Sequence, residues 1–228
     1  MATDTRSCRL AKLGTLHSGD RAFAPRLVIM VKDPRVGRVK TRLAADIGAA
    51  AATAVYRTMM TCLVSRLSRD RRWTTLLAVS PDAALSSRML PARAGRISQG
   101  GGDLGARLQR VFEMAAAGPV VVIGSDSPAI VPDDIAEAFR ILLGCNAVFG
   151  PSHDGGYWLV GIRRRPRLPQ AFTNVRWSTP HALADTKRNL RGLNVLETRV
   201  HGDVDDGRDL ASLRALIGRR IVGGVLHG

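Results

Sequence analysis

Aromatic residues make up only 4% of the 228 positions, and lysine is almost as scarce among the cations. With few aromatics there are few platforms on which the bases of a single strand could stack. Of the 34 Lys and Arg residues only Lys12, Lys32, Lys40 and Lys187 are lysines, and the arginines are dispersed instead of forming one stripe. The net charge of +15 therefore reads as an Arg-rich solvated surface that attracts small phosphorylated ligands, with a basic nucleic-acid-binding module as the remote alternative, supported by charge alone. Three scattered cysteines, Cys8, Cys62 and Cys145, have no CxxC spacing. They argue against a disulfide framework or a zinc cluster and fit a reducing cytoplasm. No apolar run approaches the ~20 residues that span a bilayer, so no membrane span is expected. A G-x-S-x-G elbow is missing, and Gly37 and Lys40 lack the glycine spacing of a P-loop.

What remains is ordinary globular composition, 45% hydrophobic and 23% charged, in a length that suits one domain. Residues 1–24 lack a continuous apolar core and read as a flexible N-terminal extension, 25–217 as the domain and 218–228 as a tail. Apolar runs predict strands at Leu27–Val31, Thr74–Val79 and Val120–Ile123, with a weaker one at Arg96–Ser98. Further strands are expected at Ala147–Phe149, Tyr157–Ile162 and Val195–Leu196. Helices are predicted over Ala44–Leu67, Ala83–Leu90, Leu104–Ala117, Pro132–Leu143, Thr179–Leu190 and Asp209–Ile217. This alternation implies an α/β fold, a Rossmann-like three-layer domain with a mainly parallel sheet. Ligands in such sheets bind beyond the carboxyl ends of the strands.

The unusual residues fall at those ends. After the first strand, Pro34 and Gly37 shape a turn from which Lys32, Lys40 and Arg42 can converge on phosphate oxygens; an exposed basic turn is the plainer alternative. Gln99-Gly100-Gly101-Gly102-Asp103-Leu104-Gly105 contains G-x-G-x-x-G, but its strand is short and polar. Glycines there bring backbone close to a ligand, or simply turn the chain, while Asp103 caps the next helix. Asp126, in Gly124-Ser125-Asp126-Ser127-Pro128, is placed to bind Mg²⁺ together with phosphates and water, or to cap the turn. Asp203-Val204-Asp205-Asp206 is a second acidic cluster after the last strand. Two carboxylates at separate strand ends, with cations after the first strand, are what a metal-phosphate transfer site needs. In Gly150-Pro151-Ser152-His153-Asp154-Gly155-Gly156-Tyr157, Asp154 can bind hydroxyls or act as a base and Tyr157 can stack on a ligand. A tight turn explains Gly155 and Gly156 equally well, and His153 carries no assignment.

Taken in order, these segments, with Trp177-Ser178-Thr179 and Asp203-Val204-Asp205-x-x-x-Asp209-Leu210, resemble the DUF2064 group of glycosyltransferase-A-like proteins from Leu27 to Leu210. The resemblance implies a nucleotide-diphospho-sugar transferase fold and a Mg²⁺- or Mn²⁺-dependent transferase that passes a sugar from a nucleotide sugar to a small acceptor. Lys40-Thr41-Arg42-Leu43 also resembles the phospholactate guanylyltransferases, and the wider superfamily includes molybdenum-cofactor guanylyltransferase-like enzymes, so nucleotidyl transfer with release of pyrophosphate is the alternative. By the same resemblance Asp126 and Asp205 would hold the metal. Lys40 and Arg42 would contact phosphates, with Lys32, Gly37, Gly101, Gly102 and Asp103 on the nucleotide side. Asp154, Gly155, Gly156, Tyr157 and Trp177 would face the acceptor. Two departures stand out: Ser125-Asp126-Ser127 replaces the Asp-x-Asp of many glycosyltransferases, and Asp206 occupies a position where related sequences often carry Thr.

Overall fold

The computed structural model describes residues 24–115, 117–164 and 168–202. The expected N-terminal extension, the tail, the helix over 209–217 and the Asp203–Asp206 cluster lie outside the described residues.

One seven-stranded sheet organises the chain, in the order β3-β2-β1-β4-β6-β5-β7. Its strands are β1 (Arg26–Lys32), β2 (Thr74–Ser80), β3 (Gly95–Ser98), β4 (Gly118–Ile123), β5 (Ala147–Pro151), β6 (Tyr157–Arg164) and β7 (Val195–Glu197). β1 pairs in parallel with β2 and β4, as do β2 with β3 and β5 with β7. Only β6 runs against its neighbours. A tight turn over 152–156 joins β5 to β6, and so short a link permits only an antiparallel pair.

Alternation along the strands divides the apolar side chains between two layers. Leu27, Ile29 and Val31 face the helices α2 (Ala49–Leu67) and α4 (Pro132–Leu142), meeting Met60, Leu63, Ile135 and Ala138. Val28, Val120 and Val122 face the other way, onto Leu108, Val111 and Phe112 of α3 (Leu104–Met114). α5 (Ala182–Asn189) covers the same side through Leu183 and the following Leu190. The result is the three-layer α/β domain that the alternation predicted.

Several element boundaries differ from the expected ones. The single helix expected over Ala44–Leu67 is two: α1 (Thr41–Ile47) and α2, broken at Gly48, whose φ of 83° no helix accommodates. Ala83–Leu90 holds only the end of a 3₁₀ turn, Asp82–Ala84; beyond it Ser87 docks on Asp33 and Arg96 takes the carbonyls of Leu85, Ser87 and Leu90. α3 ends at Met114 rather than Ala117, and α5 starts at Ala182 rather than Thr179, after Ser178 has taken a left-handed φ of 59°.

Candidate functional site

Parallel strands deliver their carboxyl ends to one edge, and there β1, β2, β3, β4, β5 and β7 end while β6 begins. Register aligns Ile29 of β1 with Ile123 of β4, so the segments leaving these two strands, Lys32 onward and Gly124 onward, emerge side by side. Tyr56 of α2 ties them together. Its hydroxyl accepts from the Lys32 N–H (2.9 Å), lies 3.2 Å from the Lys32 carbonyl and shares a hydrogen bond with Ser125 Oγ at 3.1 Å. Burial pushes the Tyr56 phenol up to about 12, against the opposing effect of its bonds to Ser125 and Lys32. Arg66, also on α2, donates to the carbonyls of Pro128 (2.9 Å) and Ile130 (2.7 Å), fixing the far side of the Asp126 loop.

Asp126 is thus held from two sides at the end of β4. Lys40 Nζ stands 3.2 Å from Asp126 Oδ1, the lysine side chain only 7% exposed and the aspartate side chain 42% exposed. Oδ1 itself is buried and accepts no well-formed hydrogen bond among the described residues, so the contact is a charge pairing and the aspartate's exposure lies elsewhere on its side chain. Lys40 reaches inward because its backbone is left-handed, φ 47° and ψ 50°, at the N-cap of α1. Arg42, the second residue of that helix, lies close enough to the β5–β6 turn for its charge to bear on Asp154. Burial raises Asp154, but hydrogen bonds from Ser152 Oγ (2.7 Å) and the Gly156 N–H (2.9 Å), with the charge of Arg42, outweigh it and hold the carboxyl below its usual range. Lys32 and Gly37 are exposed beside this edge.

The Gly-rich segment forms the next stretch of rim. Gln99 is 4% exposed and spends its amide nitrogen on the carbonyls of Val31 (3.1 Å) and Ala78 (2.7 Å), stitching the ends of β1 and β2 to β3. The Gly100 N–H donates to Asp82 Oδ1 (3.0 Å), and Arg110 of α3 donates to the carbonyls of Gln99 (2.6 Å) and Gly101 (3.1 Å). A side chain on Gly100 would strike Arg110 Nη1 at 2.2 Å, whereas nothing lies within 4 Å of one on Gly101. The Arg110 guanidinium could shift, so it is the left-handed φ of 69° that requires glycine at position 100, and Gly101 fronts open space. Gly102, at φ 94°, completes the turn. Asp103 Oδ1 accepts the Ala106 N–H at 2.8 Å, the helix cap its sequence position predicts.

On the opposite flank, Gly155 has a φ of 80° and backs onto Pro180, whose carbonyl oxygen would lie 2.3 Å from an added Cβ. Tyr157 packs edge-on between Phe149 (5.2 Å between centroids) and Trp177 (6.3 Å), and its hydroxyl sits 3.4 Å from Thr186 Oγ1. Burial, only partly countered by that contact, pushes the Tyr157 phenol far up. Tyr157 and Trp177 together form a half-buried aromatic wall, and Trp177 Nε1 has no hydrogen-bond partner among the described residues. The chain beyond β7 returns to the rim: His201 bridges to Ser152, and Arg199 and His201 both pair with the buried Asp134. Asp205 lies outside the described residues, and among those described no cluster of three or more acidic, histidine or cysteine side chains is found. A separate hollow of about 350 Å³ between Asn146, Ile162, Leu168 and Leu190 lies at the other end of β5 and β6 and has no carboxylate in its lining.

The sequence profile of the family described as an uncharacterised protein conserved in bacteria, DUF2064, matches residues 63–179, just over half the chain. The chain belongs to this family. A solved structure from Desulfovibrio desulfuricans G20, assigned as a nucleotide-diphospho-sugar transferase, is 28% identical, with a TM-score of 0.75 over 84% of this chain and 86% of its own. Two more distant structures share the fold. A CMP-2-keto-3-deoxy-manno-octonic acid synthetase with CTP has 16% identity and a TM-score of 0.54, covering 86% of this chain and 99% of its own. A 4-diphosphocytidyl-2C-methyl-D-erythritol synthase from Anaerococcus prevotii has 10% identity and a TM-score of 0.59, with coverage of 86% and 99%. No curated protein matches the chain. The structural neighbours make this DUF2064 member a transferase with the nucleotide-diphospho-sugar transferase fold.

Within this DUF2064 protein the rim unites the turn after β1, the Gly-rich loop, the Asp126 loop and the β5–β6 turn. Sequence reasoning missed Tyr56, Arg66 and the buried Asp33, which accepts from Ser87 Oγ and Arg35 Nε at 2.7 Å each and docks the 82–90 loop. One signal was available for Tyr56: it is one of only two tyrosines, and it falls beside the apolar stripe of its helix.

Proposed function

We propose that this protein is a Mg²⁺- or Mn²⁺-dependent glycosyltransferase that moves a sugar from a nucleotide-diphospho-sugar to a small acceptor. The observations that carry the proposal are the ion pair of Lys40 with Asp126 across the rim and the charge of Arg42 bearing on Asp154. They bring phosphate-binding cations and hydroxyl-binding carboxylates to one edge. The donor set fits a divalent cation: Asp126 has a buried oxygen without a well-formed hydrogen bond and further exposed side-chain surface. Magnesium takes one or two such carboxylates, with phosphates and water completing its shell. Asp126, with Asp205 as the proposed second ligand, would hold it. Bound there, the metal would neutralise charge on the departing diphosphate.

Lys40, Arg42 and Lys32 bind diphosphate oxygens and stabilise the charge that grows as the donor's glycosidic bond breaks. Gly37, Gly101 and Gly102 let backbone approach the nucleotide, with Asp103 ordering the end of that loop. Asp154, ionised at neutral pH, accepts a hydrogen bond from the acceptor hydroxyl and orients it; its depressed pKa makes it a weak base, so positioning is its larger share. Gly155 holds the turn against Pro180, Gly156 keeps a side chain off the Asp154 carboxylate, and Tyr157 with Trp177 provide an apolar wall for the acceptor.

Nucleotidyl transfer is the second reading, favoured by the concentration of Lys32, Arg38, Lys40 and Arg42 in one segment, enough cations for a triphosphate. An acceptor phosphate would then attack the α-phosphorus and pyrophosphate would leave. Product analysis separates the two: nucleotide sugars with Mg²⁺ or Mn²⁺ should yield nucleoside diphosphate. Pyrophosphate release from nucleoside triphosphates, with nucleotide sugars inert, would replace the first reading by the second.

A further inference from the structure

Lys40 combines three features that rarely meet in one lysine. It adopts a left-handed backbone, φ 47° and ψ 50°, a region that residues other than Gly, Asn and Asp seldom occupy. Its side chain is 7% exposed, and its ammonium stands 3.2 Å from Asp126 Oδ1, a buried oxygen that receives no well-formed hydrogen bond among the described residues. Left-handed strain persists only where surrounding structure requires it, and here it turns a cation onto the proposed metal-ligating carboxylate. A point charge satisfies Asp126 electrostatically while leaving its lone pairs poorly used, which is how a stand-in for a metal ion would sit.

We infer that the ligand taken by this site is a metal–polyphosphate complex entering as a unit, Lys40 serving as the cation on Asp126 until phosphate oxygens draw its ammonium away. The inference rests on the metal reading of Asp126 above. A divalent cation arriving alone meets a carboxylate already neutralised and a positive charge beside it. Polyphosphate gives Lys40 other anionic partners, and the same movement opens Asp126 to the metal. Metal and polyphosphate therefore strengthen each other's binding by the same factor, as linkage demands.

Water-proton relaxation enhancement by Mn²⁺ reads this directly, with inorganic pyrophosphate as the probe. Wild-type protein alone should bind Mn²⁺ weakly, and pyrophosphate should tighten binding by roughly tenfold or more, within the range usual for coupled sites. Lys40→Met, which keeps the stem and removes the charge, should bind Mn²⁺ alone more tightly than wild type and lose most of the pyrophosphate effect. If Mn²⁺ binds wild type equally well with and without pyrophosphate, the inference is overturned while the metal site stands; this arm needs no variant to fold. A folded Lys40→Met that binds Mn²⁺ no better than wild type also overturns it. If Asp126→Asn binds Mn²⁺ with pyrophosphate as wild type does, the metal reading itself falls, and the inference with it.

Discussion

Replacing Tyr56 by Phe removes one oxygen and tests whether α2 locks the two central strand ends. The ring is 3% exposed, so Phe fills the same space and opens almost no cavity. What is lost is the partner of the Lys32 N–H and of Ser125 Oγ. Leaving such groups unsatisfied costs about 1–3 kcal/mol. At this chain length that lowers Tm by roughly 3–10 °C. The effect should also depend on pH with a defined sign. Burial raises the Tyr56 phenol from 10.0 to about 12. Below pH ~10 the phenol is protonated in both folded and unfolded chains, and its contribution is complete. As pH climbs from there toward about 12, the unfolded chain ionises first and the contribution is lost, about 3 kcal/mol for two pKa units. Tyr157 titrates in both proteins, so the difference between their urea-unfolding curves isolates Tyr56. Wild type should be the more stable at neutral pH, with the gap closing in strong alkali. A gap that is absent at neutral pH, or constant through the alkaline range, would refute the assigned role.

Asp126→Asn preserves volume and turn-capping ability but removes the charge that anchors a cation and pairs with Lys40; metal-dependent turnover should collapse, Tm should fall as the buried lysine loses this partner, and a wild-type metal titration would make Asp126 structural. Gly155→Ala should cost roughly 2 kcal/mol or more through its left-handed φ of 80° and a Cβ 2.3 Å from the Pro180 carbonyl oxygen, and an unchanged Tm would contradict this. Arg66→Ala frees the Pro128 and Ile130 carbonyls, so Mn²⁺–nucleotide affinity should fall although Arg66 touches neither ligand; calorimetry showing equal affinity would remove it from the positioning shell.

The strands were legible because buried parallel strands must be continuously apolar, as Val120–Ile123 is, and the rim residues because Pro, Gly and Asp interrupt such runs abruptly. Asp103 announced its cap through its place before Leu104. Other features were invisible for equally physical reasons. Gly48 lies in an Ala-rich stretch whose composition favours helix on both sides, so only the backbone reveals the break. Tyr56 meets Ser125, and Asp33 meets Ser87, across separations of 69 and 54 residues that no local pattern encodes. The inward turn of Lys40 depends on one left-handed residue, which a Val-Lys-Thr sequence gives no reason to expect. Strand direction is likewise not written in hydrophobicity; β6 was betrayed only by the shortness of its Asp-Gly-Gly turn.

The account's central claim is that one rim holds metal and nucleotide together between Asp126 and the Lys40–Arg42 segment. Anomalous diffraction from crystals grown with Mn²⁺ and a nucleoside diphosphate measures this most directly. A manganese peak at bonding distance, about 2.0–2.2 Å, from an Asp126 oxygen, with the diphosphate against Lys40 and Arg42, is the predicted result. Diphosphate bound elsewhere on the sheet, or manganese without contact to Asp126, would contradict it.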